Sequence, residues 1–194
     1  MQFGTNHLGH FLLTCLLEPA LLAGAPGRVV NLSSGGHRFS NFSFEDPNYN
    51  ARDYEKWQAY GESKTANALF TVELDKRMKD SDVRSFAVHP GVIMTELSRH
   101  MEDADFTTLS ERSPSGSKMV FKSVEQGAAT SVWAATSAAL EGKGGIYLED
   151  CQIAAPAQPS GAGGVEAYAV DEEAAQRLWA LSEELVGQTF NFGM

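Results

Sequence analysis

The chain has 194 residues, 43% hydrophobic and 21% charged, with 15 basic against 25 acidic side chains and a formal net charge of −10. That is enough length and apolar content for one domain with its own core. The acidic balance argues against a nucleic-acid surface, which is basic, and against docking onto anionic lipid.

Residues 2–23 read as helical, with apolar positions at Leu8, Phe11, Leu12, Cys15, Leu16 and Leu22 and a kink or restart at Pro19. Its apolar run, FLLTCLLEPALLAG, carries Glu18 and Pro19 and is too short to cross a bilayer. Gly24, Pro26 and Gly27 mark a turn, and RVVNLSS at 28–34 reads as a buried parallel strand. Residues 35–56 are polar and aperiodic, a long loop of the kind that is functional or mobile. A helix over 57–79 follows, with Ala66, Leu69, Phe70, Leu74 and Met78 as its apolar stripe. VRSFAVHPG at 83–91 is a second strand, and 94–123 reads as an irregular, Met- and Phe-containing segment in which Glu102 to Asp105 are solvated. Helix 124–140 and strand GGIYLED come next, then a flexible loop at 155–164 whose glycines lack the strand–loop–helix context of a phosphate site. The last helix starts at Asp171 as N-cap and ends at Gly187.

This alternation predicts an α/β fold with right-handed crossovers on a parallel sheet. Ligands of such sheets gather at the carboxyl ends of the strands, where LSSGG and HPGVIMTEL lie. Cys15 and Cys151 are far apart, and His7, His10, His37, His89 and His100 are scattered, so no metal site is expected. A reduced, cytoplasmic protein is the simplest reading.

Four stretches in series, NHLGHFLLT, RVVNLSS, AYGESKTANALF and HPGVIMTEL, resemble the short-chain dehydrogenase/reductase family, in its retinol dehydrogenase-like branch. The resemblance runs from about residue 3 to 97 and weakens beyond. It implies the C-terminal half of a Rossmann-like doubly wound parallel sheet, with residues 1–194 as one partial domain that lacks the N-terminal βα units. It also implies a nicotinamide oxidoreductase acting on an alcohol or carbonyl. Asn6, Ser34, Tyr60 and Lys64 match the catalytic tetrad: Asn6 holds a water in a proton relay, Ser34 bonds the substrate oxygen, Tyr60 is the acid/base, and Lys64 binds the nicotinamide ribose and assists Tyr60. Pro90, Gly91, Ile93 and Thr95 match the segment contacting the nicotinamide. The cofactor is NAD or NADP, and most of its cradle is missing because this sequence contains no Thr-Gly-x-x-x-Gly-x-Gly motif. Segment 94–123 is the expected substrate loop, with Met and Phe pointing to a lipophilic substrate. The family pairs subunits through helices corresponding to 2–23 and 57–79, so a homo-oligomer is expected.

The chemistry fits these residue types. A phenol with pKa about 10 is a poor base near neutrality. One positive charge about 6 Å away, at an effective dielectric near 20, contributes about 2.8 kcal/mol, or roughly two pKa units. A lysine at i+4 supplies such a charge. Taken singly, each residue has a plainer reading: Tyr60 as a half-buried aromatic, Lys64 as a solvated charge, Ser33 and Ser34 as turn residues, Asn6 as a helix-start residue, His89 as structural. The rival class is a truncated, non-catalytic chain that acts as a binding or assembly partner.

Overall fold

The computed structural model describes residues 1–94, 101–112, 121–158 and 163–192. A π-helical turn, Gly4–Leu8, opens the chain and leads into α1 (Gly9–Leu16) and α2 (Glu18–Ala23). The break falls at Leu17, and Pro19 sits in the first turn of α2, where its missing N–H costs nothing. Strand β1 (Gly27–Leu32) pairs in parallel with β2 (Val83–His89), with Val30 opposite Phe86. β2 pairs in parallel with β3 (Ile146–Glu149). A two-residue β4 (Gln152–Ile153) then folds back antiparallel on β3. The sheet order is β1-β2-β3-β4, so β1 is an edge among the described residues.

One sheet face carries Phe86, Val88 and Leu148 against Ala134 and Leu140, which come from α5 (Val124–Thr136) and the turn after it. The other face carries Ala87 and Tyr147 against Ala68 of α3 (Lys56–Met78). A second layer packs behind α3. There Phe11 and Cys15 of α1, Trp179 of α6 (Glu172–Val186), and Phe190 and Phe192 of the tail close around Phe70, Leu74 and Met78.

Layers on both sides explain why α3 departs from the expected single stripe. Within it only Lys56 and Lys76 are exposed. Its buried polar residues are paired instead: Glu62 with Arg52, and Asp75 with Arg84 and the Ser85 amide. Of the two helices expected to meet a second subunit, α3 is largely covered by its own chain, whereas α1 leaves Leu13 and Leu16 more than half exposed.

Three further segments differ from expectation. The stretch read as irregular contains α4 (Asp103–Arg112), and Asp105 is buried and paired with Lys56 rather than solvated. The 35–56 loop begins with a 3-10 turn, Gly35–Phe39. It is then clasped by Asp46, whose carboxylate accepts the amides of Asn50, Ala51 and Arg52 at 2.7, 2.9 and 3.1 Å. The 155–164 loop has fastened ends: Pro156 bridges Val165, and the Gly164 amide donates to Glu149 at 2.6 Å. Its centre, 159–162, lies outside the described residues.

Candidate active site

The carboxyl ends of β1 and β2 and the first turns of α3 meet at one place. Ser33 and Ser34 follow β1, and both are tied down. Ser33 is buried, and its hydroxyl donates to the Lys64 carbonyl at 2.8 Å. Ser34 caps the 3-10 turn, its oxygen accepting the Gly36 amide at 3.1 Å. That leaves its proton free, and the Ser34 side chain acts on the Tyr60 phenol in the direction that favours the phenolate. The two serines thus diverge: Ser33 braces the α3 backbone and Ser34 faces Tyr60.

Tyr60 is held there by two glycines that carry no obvious sequence signal. A Cβ on Gly36 would lie 2.6 Å from Tyr60 Cε1, so the ring rests directly on the Gly36 backbone. A Cβ on Gly61 would lie 2.8 Å from the Gly36 carbonyl oxygen, so the serine loop and α3 touch backbone to backbone. Trp57 meets Tyr60 edge-on at 6.3 Å between centroids.

Lys64 lies one turn along the same helix. Its Nζ sits 5.7 Å from the Tyr60 ring centroid and donates to the Leu32 carbonyl at 3.2 Å. Burial lowers its pKa to about 8. The expected acidification of Tyr60 by Lys64 is not what the chain displays. Burial raises the Tyr60 pKa and outweighs the Ser34 side chain, the single lowering influence. The low-dielectric surroundings that would strengthen a charge pair first penalise the phenolate itself.

Asn6 reaches this centre indirectly. Its side-chain amide donates to Ser63 Oγ at 3.0 Å, and Ser63 donates to the Tyr60 carbonyl at 2.7 Å. The Asn6 carbonyl, at 2.8 Å, accepts from His10 Nδ1. The π-helical turn, a frequent device at functional sites, aims this residue at α3.

Pro90, Gly91 and Ile93 follow β2 at the same sheet end. Gly91 has φ +92°, and a Cβ there would meet Lys122. Ile93 bridges Lys122 and packs onto Gly127 of α5. Thr95, the remaining residue of the expected cofactor segment, lies outside the described residues.

A histidine that sequence reasoning left aside completes the surroundings. His37 is fully buried. Its Nε2 accepts the Glu166 amide at 3.2 Å, so the ring proton sits on Nδ1, which donates to the Ser34 carbonyl at 2.7 Å. Tyr147 Oη lies 3.1 Å from the same nitrogen. Burial lowers the His37 pKa to about 4. Ser34 is therefore gripped from behind by His37, whose own contact with Glu166, 129 residues distant in sequence, no local pattern announces.

Among the described residues no group of three or more His, Cys, Asp or Glu side chains could hold a metal, and no helix is long and apolar enough to cross a membrane.

The family model for short chain dehydrogenase matches residues 2–105. A Streptomyces lividans protein named "Probable oxidoreductase" is 43% identical over 92% of this chain and 62% of its own length. Human retinol dehydrogenase 13 is 43% identical over 96% of this chain and 54% of its own. The crystal structure of an uncharacterized protein from Mycobacterium paratuberculosis superimposes with a TM-score of 0.66 at 34% identity, over 97% of this chain and 59% of that one. The chain thus spans between half and two thirds of the length of these relatives. With a family model over more than half its length and this Rossmann-like sheet, the chain belongs to the short-chain dehydrogenase/reductase family.

Proposed function

We propose that the chain carries the acid/base centre of an oxidoreductase that interconverts an alcohol and a carbonyl, with Ser34, Tyr60 and Lys64 at the reacting atoms and Asn6 behind them. The observation that carries this reading is the convergence on Tyr60. Its ring rests on Gly36, inside the turn that Ser34 caps, and the Lys64 ammonium stands 5.7 Å from that ring. In the reducing direction Ser34 donates a hydrogen bond to the substrate oxygen and Tyr60 passes its proton to that oxygen as the carbonyl becomes an alkoxide. In the oxidising direction the alcohol O–H proton goes to the Tyr60 phenolate, which the Ser34 side chain favours. Asn6 and Ser63 fix the Tyr60 turn from the α1 side.

The donor set suits the ribose of a nicotinamide cofactor, NAD or NADP. The Lys64 ammonium spends one hydrogen bond on the Leu32 carbonyl and has further N–H donors 5.7 Å from the Tyr60 ring, a match for a vicinal diol. Such a cofactor supplies or takes the hydride when bound. Pro90, Gly91, Ile93 and Thr95 are assigned to its nicotinamide end. A lipophilic substrate is favoured by Val92, Met94, Phe121 and Val124, large apolar side chains left 40%, 54%, 44% and 65% exposed beside the Gly91 turn.

The second reading, a non-catalytic binding or assembly partner, draws on the open β1 edge and the exposed Leu13, Leu16 and Leu32. One assay separates the two. The chain is incubated with NADH or NADPH and a panel of apolar aldehydes and ketones, beside Tyr60→Phe. The enzyme reading expects at least an about 10²-fold loss of turnover in the variant with unchanged thermal unfolding. Turnover retained by Tyr60→Phe removes the phenol from its role, and no turnover by either chain favours the partner reading.

A further inference from the structure

His89, the last residue of β2, bridges the two loops that the proposed chemistry uses. Its Nδ1 accepts the Gly35 amide at 3.0 Å and the Gly91 amide at 3.3 Å. Backbone amides only donate, so this nitrogen must present a lone pair, and the ring carries its proton on Nε2. Gly35 directly follows Ser34, and Gly91 directly follows Pro90. One ring nitrogen therefore ties the loop after β1 to the turn after β2.

The approach is close enough that any side chain at Gly35 would press on the ring. A Cβ at Gly35 would lie 3.1 Å from His89 Nε2, 3.4 Å from Cε1 and 3.0 Å from Arg38 Nη2. The groups around the ring keep it neutral. Burial is the largest influence, Arg38, His37 and Lys122 add to it, and Asp150 opposes; together they lower the His89 pKa to about 4. At neutral pH the acceptor is always available.

We propose that His89 is a positioning residue: by accepting from Gly35 and Gly91 at once it sets the spacing between the Ser34 hydroxyl and the Pro90–Gly91 turn. What is positioned rests on the reading of Ser34 and the turn given above. The double hydrogen bond does not, and the test addresses it without substrate or cofactor.

The full chain is labelled with ¹⁵N, and amide hydrogen exchange is followed at Gly35 and Gly91 in wild type, His89→Phe and His89→Asn. Phenylalanine keeps a ring and removes the acceptor; asparagine puts Oδ1 near the place of Nδ1. The wild-type ring should show an unprotonated Nδ1 at pH 7. His89→Phe should speed exchange at both glycines by about fivefold to tenfold, the equivalent of one hydrogen bond each, while Phe86 and Val88 amides keep their protection. His89→Asn should restore protection at Gly35, a rescue that mere space-filling would not give. A protonated Nδ1 in wild type, or unchanged exchange at both glycines in His89→Phe, overturns the proposal. Should His89→Phe fail to fold, the ring signature and His89→Asn decide. Activity retained by Tyr60→Phe would sink the functional reading and leave this link standing, so the two failures are distinguishable.

Discussion

Gly36 does for Tyr60 what no side chain could: it lets an aromatic ring lie on bare backbone. With 2.6 and 2.9 Å between its virtual Cβ and the ring carbons Cε1 and Cδ1, an alanine there forces the phenol away from Ser34. Gly36 has no positive φ, so the penalty is crowding and not backbone strain. Overpacking of this kind costs about 1–3 kcal/mol. Gly36→Ala should therefore lower stability by that amount in urea unfolding and depress any turnover through misplacement of Tyr60. Gly4→Ala is the matched control, because nothing lies within 4 Å of the added methyl. An equal loss in both variants would show that general helix or loop effects, and not the Tyr60 contact, set the result. The Tyr-x-x-x-Lys spacing and the serine after the β-branched run were legible in the sequence because each is local. Gly36, Gly61, His37 and His89 were not, because each acts on a partner delivered by another element, such as the Glu166 amide that meets His37. The burial that raises the Tyr60 pKa is equally a property of the packed chain.

At the scale of elements, the alternation of helix and strand carried most of the fold, and caps carried its boundaries. Asp171 does accept the Ala174 amide at 2.7 Å, and Gly187 does take the left-handed conformation at φ +69°. The β3–β4 hairpin escaped notice because its turn residues, Asp150 and Cys151, adopt φ +49° and +56° without the glycine that usually signals such a turn. The order of the loop over 35–56 escaped for another reason: it depends on partners in distant elements, among them Thr65 of α3 and an ion pair with α3. Arg52 grips Glu62 with two bonds of 2.6 Å, the carboxylate side chain 4% exposed and the guanidinium 26%. The two halves of this pair are unequal. Removing Arg52 leaves a buried carboxylate supported by Gln58 at 3.0 Å, whereas neutralising Glu62 leaves a cation that water already reaches. Breaking a buried pair from the side that strands the buried charge costs about 3–5 kcal/mol. Arg52→Met should thus approach the lower end of that range in urea unfolding, and Glu62→Gln should cost distinctly less. The reverse order would mean that the arginine, and not the carboxylate, is the desolvated partner.

The whole molecule holds three histidines neutral at once. Burial lowers His7 to about 3, His37 to about 4 and His89 to about 4, against an ordinary value near 6.5. In the unfolded chain each takes up a proton as pH falls through about 6.5; in the native chain each waits until about 4 or below. Between those limits the unfolded state binds up to three more protons, so native stability rises with pH across the window and is lost as pH falls through it. Each histidine contributes up to about 1.4 kcal/mol per pH unit there, less for His89, which is only half-buried. The carboxylates Glu45, Asp46 and Asp105, whose pKa values are lowered by their hydrogen bonds and cationic partners, add the same sign only at lower pH, below their ordinary range near 4. The interval from pH 6.5 down to about 4.5 therefore belongs to the histidines. Urea unfolding at pH 7.5, 6.5, 5.5 and 5.0 should give a free energy that is flat at the top and falls steeply below 6.5. His7→Phe tests the attribution, since His7 already packs among Phe3, Phe11 and Phe70, and Ser182 keeps its bond to the Leu178 carbonyl. That variant should flatten the acid limb by about one proton. A wild-type free energy independent of pH across this window would show that the three rings are open to water in the native chain.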